Sequence, residues 1–563
     1  MDNLSWTMFS NYFPPHIANL GALGLLLIAA LWRWYSASRD KFLAQQKHAN
    51  ARGAPPTFPY IFPLLGSMPI PYLWKPRAFV LNSDNFFQSA QPTRVKILTQ
   101  EFYVIRGQKN IRALFRNSWA CTSIPFIKFA LGYAFGLPAK ALSLYDKDDS
   151  GGSHIPHPGS RVEARNRIDY NVHSSLGRFL EGEGLAPFWN RFVDNITQRL
   201  CSLHDRVGPE WDYHTDLMKF VGDETTISIL DALCGPYLLA LNPHFLEDFW
   251  DFDRNLQTYL QGVPWFIAPK AYRARERVLY AVKAWQQYAR DHYKDSSVTA
   301  DGDDPFWGSS FFRDRQEMFL RMDGFDYDAI ASQDFGAIWA ARNSITAASW
   351  AIFEIYRDPE LLASLRAEVD ACAVKSADRH IRFDTNRLIR LPILQAVYAE
   401  TLRLRMHFYI IRMADRVDMN IRDWIIPRRR VVVTSTTVAH MDAEAWNTGL
   451  NNEHPVDQFW IGRFLKYPSG GANDVQPPIF STKGVEELWI PYGGGPRQCP
   501  GRHFAKRQIL LTTALMISLF DCEILGDGKD VREDFTLKGF GGGVSHPAGK
   551  VPIKFRRRVN DGR

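Results

Sequence analysis

The stretch WIPYGGGPRQCPGRHFA, residues 489–505, constrains this chain more than any other. It sets one cysteine, Cys499, in a glycine-rich loop that runs straight into a helix. Gly493, Gly494 and Gly495 permit backbone angles closed to other residues, and they remove side chains where a flat ligand would lie close. Pro496 and Pro500 stiffen the loop on both sides, and Pro500 withdraws one amide donor. After Gly501 the segment RHFAKRQILLTTALMISLF carries apolar residues at helical spacing, which puts Cys499 near a helix N-terminus. The partial positive charge there favours a thiolate over a thiol. Such a loop presents one thiolate to a metal; the plainer alternative is a buried cysteine in a glycine turn.

Upstream, LPILQAVYAETLRLRMHFYIIR is a helical stretch in which Glu400 and Arg403 stand one turn apart. As a solvated pair they would contribute about 0.2–0.5 kcal/mol, but here they lie in an apolar helix. Together these segments resemble the cytochrome P-450 family. Tyr492, Gly495, Arg497, Cys499 and Gly501 match its heme-binding signature FxxGxRxCxG, with tyrosine in place of the first phenylalanine. Glu400 and Arg403 match its ExxR motif, and Arg463 in DQFWIGRFL matches the arginine of PxRF, with Ile461 where proline is usual. The resemblance implies a mainly α fold with small β-sheets and a bound heme b (iron protoporphyrin IX). Cys499 would be the axial thiolate of the iron, pushing electron density towards O–O cleavage. Arg497 would pair with a heme propionate, Arg412 stands where relatives carry another propionate-binding arginine, and Gly495 and Gly501 belong to the same cradle. Glu400, Arg403 and Arg463 are assigned to folding and heme retention, because a buried carboxylate bridging two guanidiniums is satisfied only while complete.

A long helix, 334–357, precedes these motifs, and the family's oxygen-binding pattern (A/G)Gx(D/E)T falls on Ala340, Ala341, Arg342, Asn343 and Ser344. The resemblance gives Ser344 the alcohol that steadies dioxygen and relays protons. Asn343 can orient water but cannot itself lose a proton; its other reading is a satisfied helix amide. The pattern, with Trp350 after it, resembles the branch that holds cholesterol 7-alpha-hydroxylase, prostacyclin synthase and many fungal biosynthetic-pathway enzymes. That branch contains monooxygenases and enzymes that only rearrange a peroxide. An isomerase needs no proton relay, so the hydroxyl at Ser344 favours a monooxygenase. An oxygen-independent isomerase or dehydratase of the prostacyclin-synthase type and a non-catalytic heme-binding protein remain the alternatives.

No linker or repeat divides the 563 residues after the amino-terminal region, so 71–563 is expected to be one heme-thiolate catalytic domain. No Rossmann-type glycine fingerprint would bind NADPH, so electrons are expected from NADPH-cytochrome P-450 reductase, with cytochrome b5 a second candidate donor. The formal charge of +7 is modest, but Arg497, Arg502, Lys506 and Arg507 cluster around the cysteine loop. They would steer an acidic flavoprotein, or form an ordinary solvated helix face. The other basic residues are dispersed, which excludes nucleic-acid recognition. Residues 17–35, IANLGALGLLLIAALWRWY, are largely apolar, and about twenty such residues span a hydrocarbon core of about 30 Å. Trp32, Trp34 and Tyr35 suit the interface, and the basic residues that follow place the body in the cytosol. The expectation is a single-pass anchor at 17–35 in the endoplasmic reticulum membrane, with a short lumenal segment 1–16 and a basic, proline-rich hinge 36–70. Six scattered cysteines suggest no disulfide framework.

Residues 145–165 are polar and turn-rich and are expected to form a surface insertion, with His154 and His157 solvated. The helix that follows lacks the family's WxxxR motif, which leaves heme anchoring on that side unassigned. By analogy the cavity is lined by 124–137, the oxygen helix, the strand around His407 to Ile411 and the turn GFGGGVSHP. These apolar and aromatic segments suit O2 chemistry on a bulky lipophilic substrate of sterol, terpenoid or polyketide type, in a secondary-metabolite or sterol pathway. Residues 260–268, LQGVPWFIA, are expected to dip into the bilayer.

Overall fold

The computed structural model describes residues 15–47, 53–60, 65–67, 69–374, 381–468, 477–526 and 528–559. Nine helices matter for the site: α1 (Pro15–Lys47), α2 (Ile168–Leu180), α3 (Leu185–Arg206), α4 (Leu217–Cys234), α5 (Phe245–Arg254), α6 (Tyr327–Trp339), α7 (Arg342–Tyr356), α8 (Pro392–Arg405) and α9 (Arg502–Leu519). In α7 every residue but Asn343 is buried, the polar Arg342, Ser344, Thr346, Ser349 and Glu354 included, so other elements enclose this helix on all sides. It packs against α4, α8 and α9, and α3 closes the bundle against α4 and α9. Carboxylate caps fix the starts of two helices: Asp216 accepts from Met218 N at α4, and Asp326 from Ala329 N at α6.

The helix expected over 334–357 is two. Ala340 (φ −56°, ψ −22°) and Ala341 (φ −70°, ψ −16°) form a tight turn between α6 and α7. Neither glycine nor proline stands at the break, so periodicity gave no sign of it.

A six-stranded sheet lies beside the helices, built from β1 (Thr93–Ile97), β2 (Gln100–Val104), β3 (Cys121–Thr122), β4 (Met406–Ala414), β5 (Val431–Ser435) and β6 (Gly542–Val544). The order is β1-β2-β5-β4-β6, with β3 also paired to β4; only β2 and β5 are parallel. α8 ends at Arg405 and β4 begins at Met406, so the ExxR helix feeds directly into the central strand. A three-stranded sheet joins Asp212–His214, Phe520–Ile524 and Ile553–Arg557.

α1 runs past the segment expected to span the membrane and into the segment expected to be a hinge. Leu23, Leu25, Leu26, Leu27 and Ile28 are exposed along it. Among the described residues no helix is long and apolar enough to cross a membrane, so the expected anchor finds no support in the fold. Residues 1–14 of the expected lumenal segment and 48–52, 61–64 and 68 of the hinge lie outside the described residues.

Candidate functional site

Cys499 stands just ahead of α9. Gly493 and Gly495 both take φ +70°, which only glycine holds without strain, and Cys499 N donates to Tyr492 O at 3.0 Å to close the loop. The Gly501 and Arg502 N–H groups point at the sulfur and favour the thiolate, but burial outweighs them and pushes the thiol pKa up. A coordinated metal ion would offset that burial, because coordination deprotonates a thiol outright. Cys499 nonetheless keeps accessible surface. Gly494 lies where a Cβ would sit 2.4 Å from the Phe115 ring, so the loop is pressed against its neighbours. At Gly501 a Cβ would meet only ordinary contacts, 3.7 Å from the Cys499 sulfur.

The tyrosine that departs from the signature is accommodated by a second tyrosine. Tyr398 OH, on α8, donates to Tyr492 OH at 2.9 Å, which satisfies a hydroxyl that phenylalanine would not bring. The sequence showed the departure at 492, but not its partner on another element.

The carboxylate of Glu400 joins the three motif residues. Arg403 Nε donates to Oε2 at 2.6 Å and Arg403 Nη2 to Oε1 at 2.8 Å. Arg463 Nε reaches Oε1 at 3.1 Å, and Trp460 N reaches it at 3.0 Å. All three side chains are fully buried. Arg403 Nη1 continues to His440 O at 2.8 Å, and Arg463 Nη2 to His454 O at 2.9 Å and Pro455 O at 2.5 Å. Every ion thus has an opposite charge and backbone partners, the condition under which a buried ion network is tolerated. Ile461 replaces proline in a 3-10 turn, Ile461–Phe464, that still delivers Arg463 inward.

Two arginines decide whether a dianionic cofactor edge fits. Arg412, on β4, is buried, and burial depresses its pKa first, with Arg497 adding to the effect. Its guanidinium donates to Ile411 O at 2.9 Å, and among the described residues it has no carboxylate partner. A buried cation so placed fits an anionic ligand group. With one thiol and one uncompensated guanidinium, the residues present fit heme. Arg497 is already engaged: its Nη1 donates to Asp169 Oδ1 at 2.8 Å and its Nη2 to Oδ2. Asp169 begins α2, on the side where WxxxR was missing.

The 145–165 insertion lies at the surface, with most of 153–165 exposed, but it is tied down at its start. Arg167 grips it through Ser150 Oγ at 3.1 Å, His154 O at 2.8 Å and Ser153 O at 2.5 Å. Gly152 then lies so close that a Cβ would overlap Arg497 and Asp169. The insertion therefore covers this edge of the site. His154 Nδ1 pairs with Tyr170 OH at 2.9 Å, and among the described residues no cluster is suited to a free metal ion.

On the opposite side, Ser344 is buried and its Oγ donates to Ala341 O at 2.9 Å. Asn343 is not free to orient water through its oxygen: Oδ1 accepts from Val544 N at 2.9 Å and from Arg342 Nη1 at 2.5 Å. The satisfied-amide reading describes it, since both partners are donors only. Arg342 pairs with Asp253, which burial would push up in pKa but which Arg342 and His546 hold far below the usual carboxylate range. Periodicity offered no sign of this cluster, whose members are joined only by the fold. His407, expected at the cavity wall, is fully buried between Thr437 Oγ1 (2.9 Å) and Glu533 Oε2 (3.1 Å). The expected basic patch is partly spent: Arg502 pairs with Glu181, and Lys506 Nζ donates to Gln395 Oε1 at 2.5 Å.

A helical body, a lone thiol at a glycine loop and a buried cationic edge define the class of heme-thiolate proteins. Residues 251–550 match the family described as cytochrome P-450, and the chain belongs to that family. It is 33% identical over 546 residues to cytochrome P-450 monooxygenase fsoE of Humicola fuscoatra, covering 93% of this chain and 91% of that one. It is 31% identical over 585 residues to cytochrome P-450 monooxygenase efuG of Hormonema carpetanum, covering 98% and 99%. A 25-hydroxycholesterol 7-alpha-hydroxylase of Rattus norvegicus is 26% identical over 263 residues, 44% of this chain and 59% of that one. The protein is a heme-thiolate monooxygenase with heme b as its cofactor.

Proposed function

We propose that this monooxygenase oxidises a bulky lipophilic substrate of terpenoid, sterol or polyketide type in a secondary-metabolite or sterol pathway. Electrons come from NADPH-cytochrome P-450 reductase, with cytochrome b5 a further donor, and the enzyme works on the cytosolic face of the endoplasmic reticulum. The bound heme supplies an iron centre that activates dioxygen. Cys499 Sγ would ligate the iron, and Arg412 and Arg497, the latter also paired with Asp169, would hold the cofactor's anionic edge. Glu400, Arg403 and Arg463 keep the ligand loop in place. Ser344 accepts and passes on a proton at Oγ, and the surrounding apolar side chains exclude bulk water. The observation that carries the oxygen-inserting reading is the buried Ser344 hydroxyl beside the break in the oxygen helix, because a rearranging enzyme has no use for a proton carrier there. The substrate class is supported by the name of the 7-alpha-hydroxylase, whose stated substrate is a sterol.

Incubation with NADPH, reductase and isotopically labelled dioxygen, across a panel of terpenoids, sterols and polyketides, is expected to place one labelled oxygen atom in each product. Product formed without NADPH or label would replace this reading with the isomerase.

The membrane reading draws on the apolar 17–35 segment and on Trp265, Phe266 and Ile267, which are 66%, 66% and 65% exposed. Aromatic side chains of this kind settle at a bilayer interface. In a chain lacking residues 1–47, Trp265→Ser with Phe266→Ser is expected to weaken binding to phospholipid vesicles about tenfold or more, from the apolar area withdrawn. Unchanged flotation would remove this segment from the membrane face.

A further inference from the structure

The break in the oxygen helix is held by one carboxylate. Trp339 is the last residue of α6 and Arg342 the first of α7. Trp339 Nε1 donates to Asp253 Oδ1 at 2.9 Å, and Arg342 Nε donates to the same oxygen at 2.7 Å. Asp253, near the end of α5, thus ties the residue before the break to the residue after it. Its second oxygen, Oδ2, meets His546 Nε2 at 2.8 Å. Arg342 Nη1 goes on to Val544 O at 3.0 Å and Asn343 Oδ1 at 2.5 Å, which ties the break to β6 as well. The Asp253 side chain is 0% exposed and that of Arg342 5%, so neither charge has water to replace the other.

A break in a helix needs a cause, and Trp-Ala-Ala-Arg contains neither proline nor glycine. Alanine is the residue most at home in an uninterrupted helix. The Ser344 hydroxyl bonded back to Ala341 O is a local bend of a common kind, but it does not tie the two helices to anything outside them. The buried clamp does, through Asp253 and β6. Its consequence reaches the reactive side, because Ala341 O accepts from Ser344 Oγ at 2.9 Å, Ser344 N at 3.1 Å and Ile345 N at 3.3 Å. Where the break sits, the hydroxyl follows.

We infer that Asp253 is a positioning residue for the monooxygenase reaction: by holding Trp339 and Arg342 together it fixes the break at Ala340–Ala341 and thereby the place of the Ser344 hydroxyl. This rests on Ser344 being the alcohol of the site. Asp253→Asn keeps the volume and one acceptor oxygen but removes the charge that Arg342 needs.

The test uses the full-length, heme-loaded enzyme in four forms: wild type, Asp253→Asn, Ser344→Ala and the double variant. Two readouts apply: the infrared C–O stretch of the reduced protein with carbon monoxide bound, and hydrogen exchange of the peptide 336–346. Both single variants are expected to shift the C–O band, and the double variant to match Ser344→Ala, since Asp253 acts through Ser344. Exchange in 336–346 is expected to rise about tenfold or more in Asp253→Asn, with heme content unchanged. A wild-type band for Asp253→Asn beside a shifted band for Ser344→Ala overturns the inference, and so does an additive shift in the double variant. An unmoved band in Ser344→Ala refutes the reading of Ser344 alone. Exchange then decides the clamp, and wild-type exchange in Asp253→Asn overturns it. If Asp253→Asn loads no heme, Asp253→Glu replaces it under the same readouts, since it keeps the charge but displaces it by one methylene.

Discussion

Glu400→Ala is expected to yield little or no folded, heme-containing protein. The carboxylate faces Arg403 through two bonds, at 2.6 and 2.8 Å, and Arg463 through one at 3.1 Å, with all three side chains out of reach of water. Its removal strands two guanidiniums at once, and Trp460 N loses its acceptor. Breaking one buried pair from one side costs about 3–5 kcal/mol, a large part of the roughly 5–15 kcal/mol by which proteins are stable. Glu400→Gln keeps the volume and one acceptor oxygen, so it should fold more often than Glu400→Ala yet unfold earlier in urea than wild type. The check is soluble yield, heme content and the urea midpoint of the three proteins. A Glu400→Ala protein that loads heme normally and unfolds within about 1 kcal/mol of wild type would mean that the network contributes nothing beyond an ordinary surface change.

That network was legible because ExxR is local: a spacing of three residues on one helix fixes which face both side chains share, and the third member came from a neighbouring motif. The cysteine loop was legible for the same reason, since Gly493, Gly495 and the start of α9 constrain one another within a few residues. What escaped was non-local. Tyr398 lies 94 residues from Tyr492, and Asp253 lies 89 residues from Arg342; neither pairing leaves a trace in periodicity. The break between α6 and α7 escaped because its cause is a carboxylate on another helix rather than a glycine or proline in the sequence. The pull of the helix end on the Cys499 thiol could be read from the sequence, whereas the opposing effect of burial is a property of the folded surroundings. The insertion before α2 lies at the surface as its composition indicates, but the bonds from Arg167 that lay its start against Arg497 join separate segments and leave no trace in composition.

Cys499→Ala is expected to act in the opposite way to Glu400→Ala, leaving the fold and abolishing the chemistry. The loop is closed by a backbone bond, Cys499 N to Tyr492 O at 3.0 Å, which alanine keeps. The positive φ at Gly493 and Gly495 and the Tyr398–Tyr492 hydroxyl pair do not involve the sulfur. Only the sulfur itself is lost, from a residue with accessible surface, so unfolding stability should change by about 1 kcal/mol or less. The variant nevertheless has no thiolate to push electron density towards O–O cleavage. The reduced, carbon monoxide-bound spectrum should lose the band of a thiolate-ligated heme entirely, and turnover should fall by about 10³-fold or more, a barrier increase of about 4 kcal/mol. Cys499→Ser separates ligand chemistry from shape: it restores the volume but offers a hydroxyl that coordinates as a poorer donor, so the band should stay absent. A wild-type protein without the thiolate band, or a Cys499→Ala protein that retains it, would remove Cys499 from the iron. The same two variants, measured beside Glu400→Ala, then distinguish a ligand lost from a fold lost, because only the latter also moves the urea midpoint.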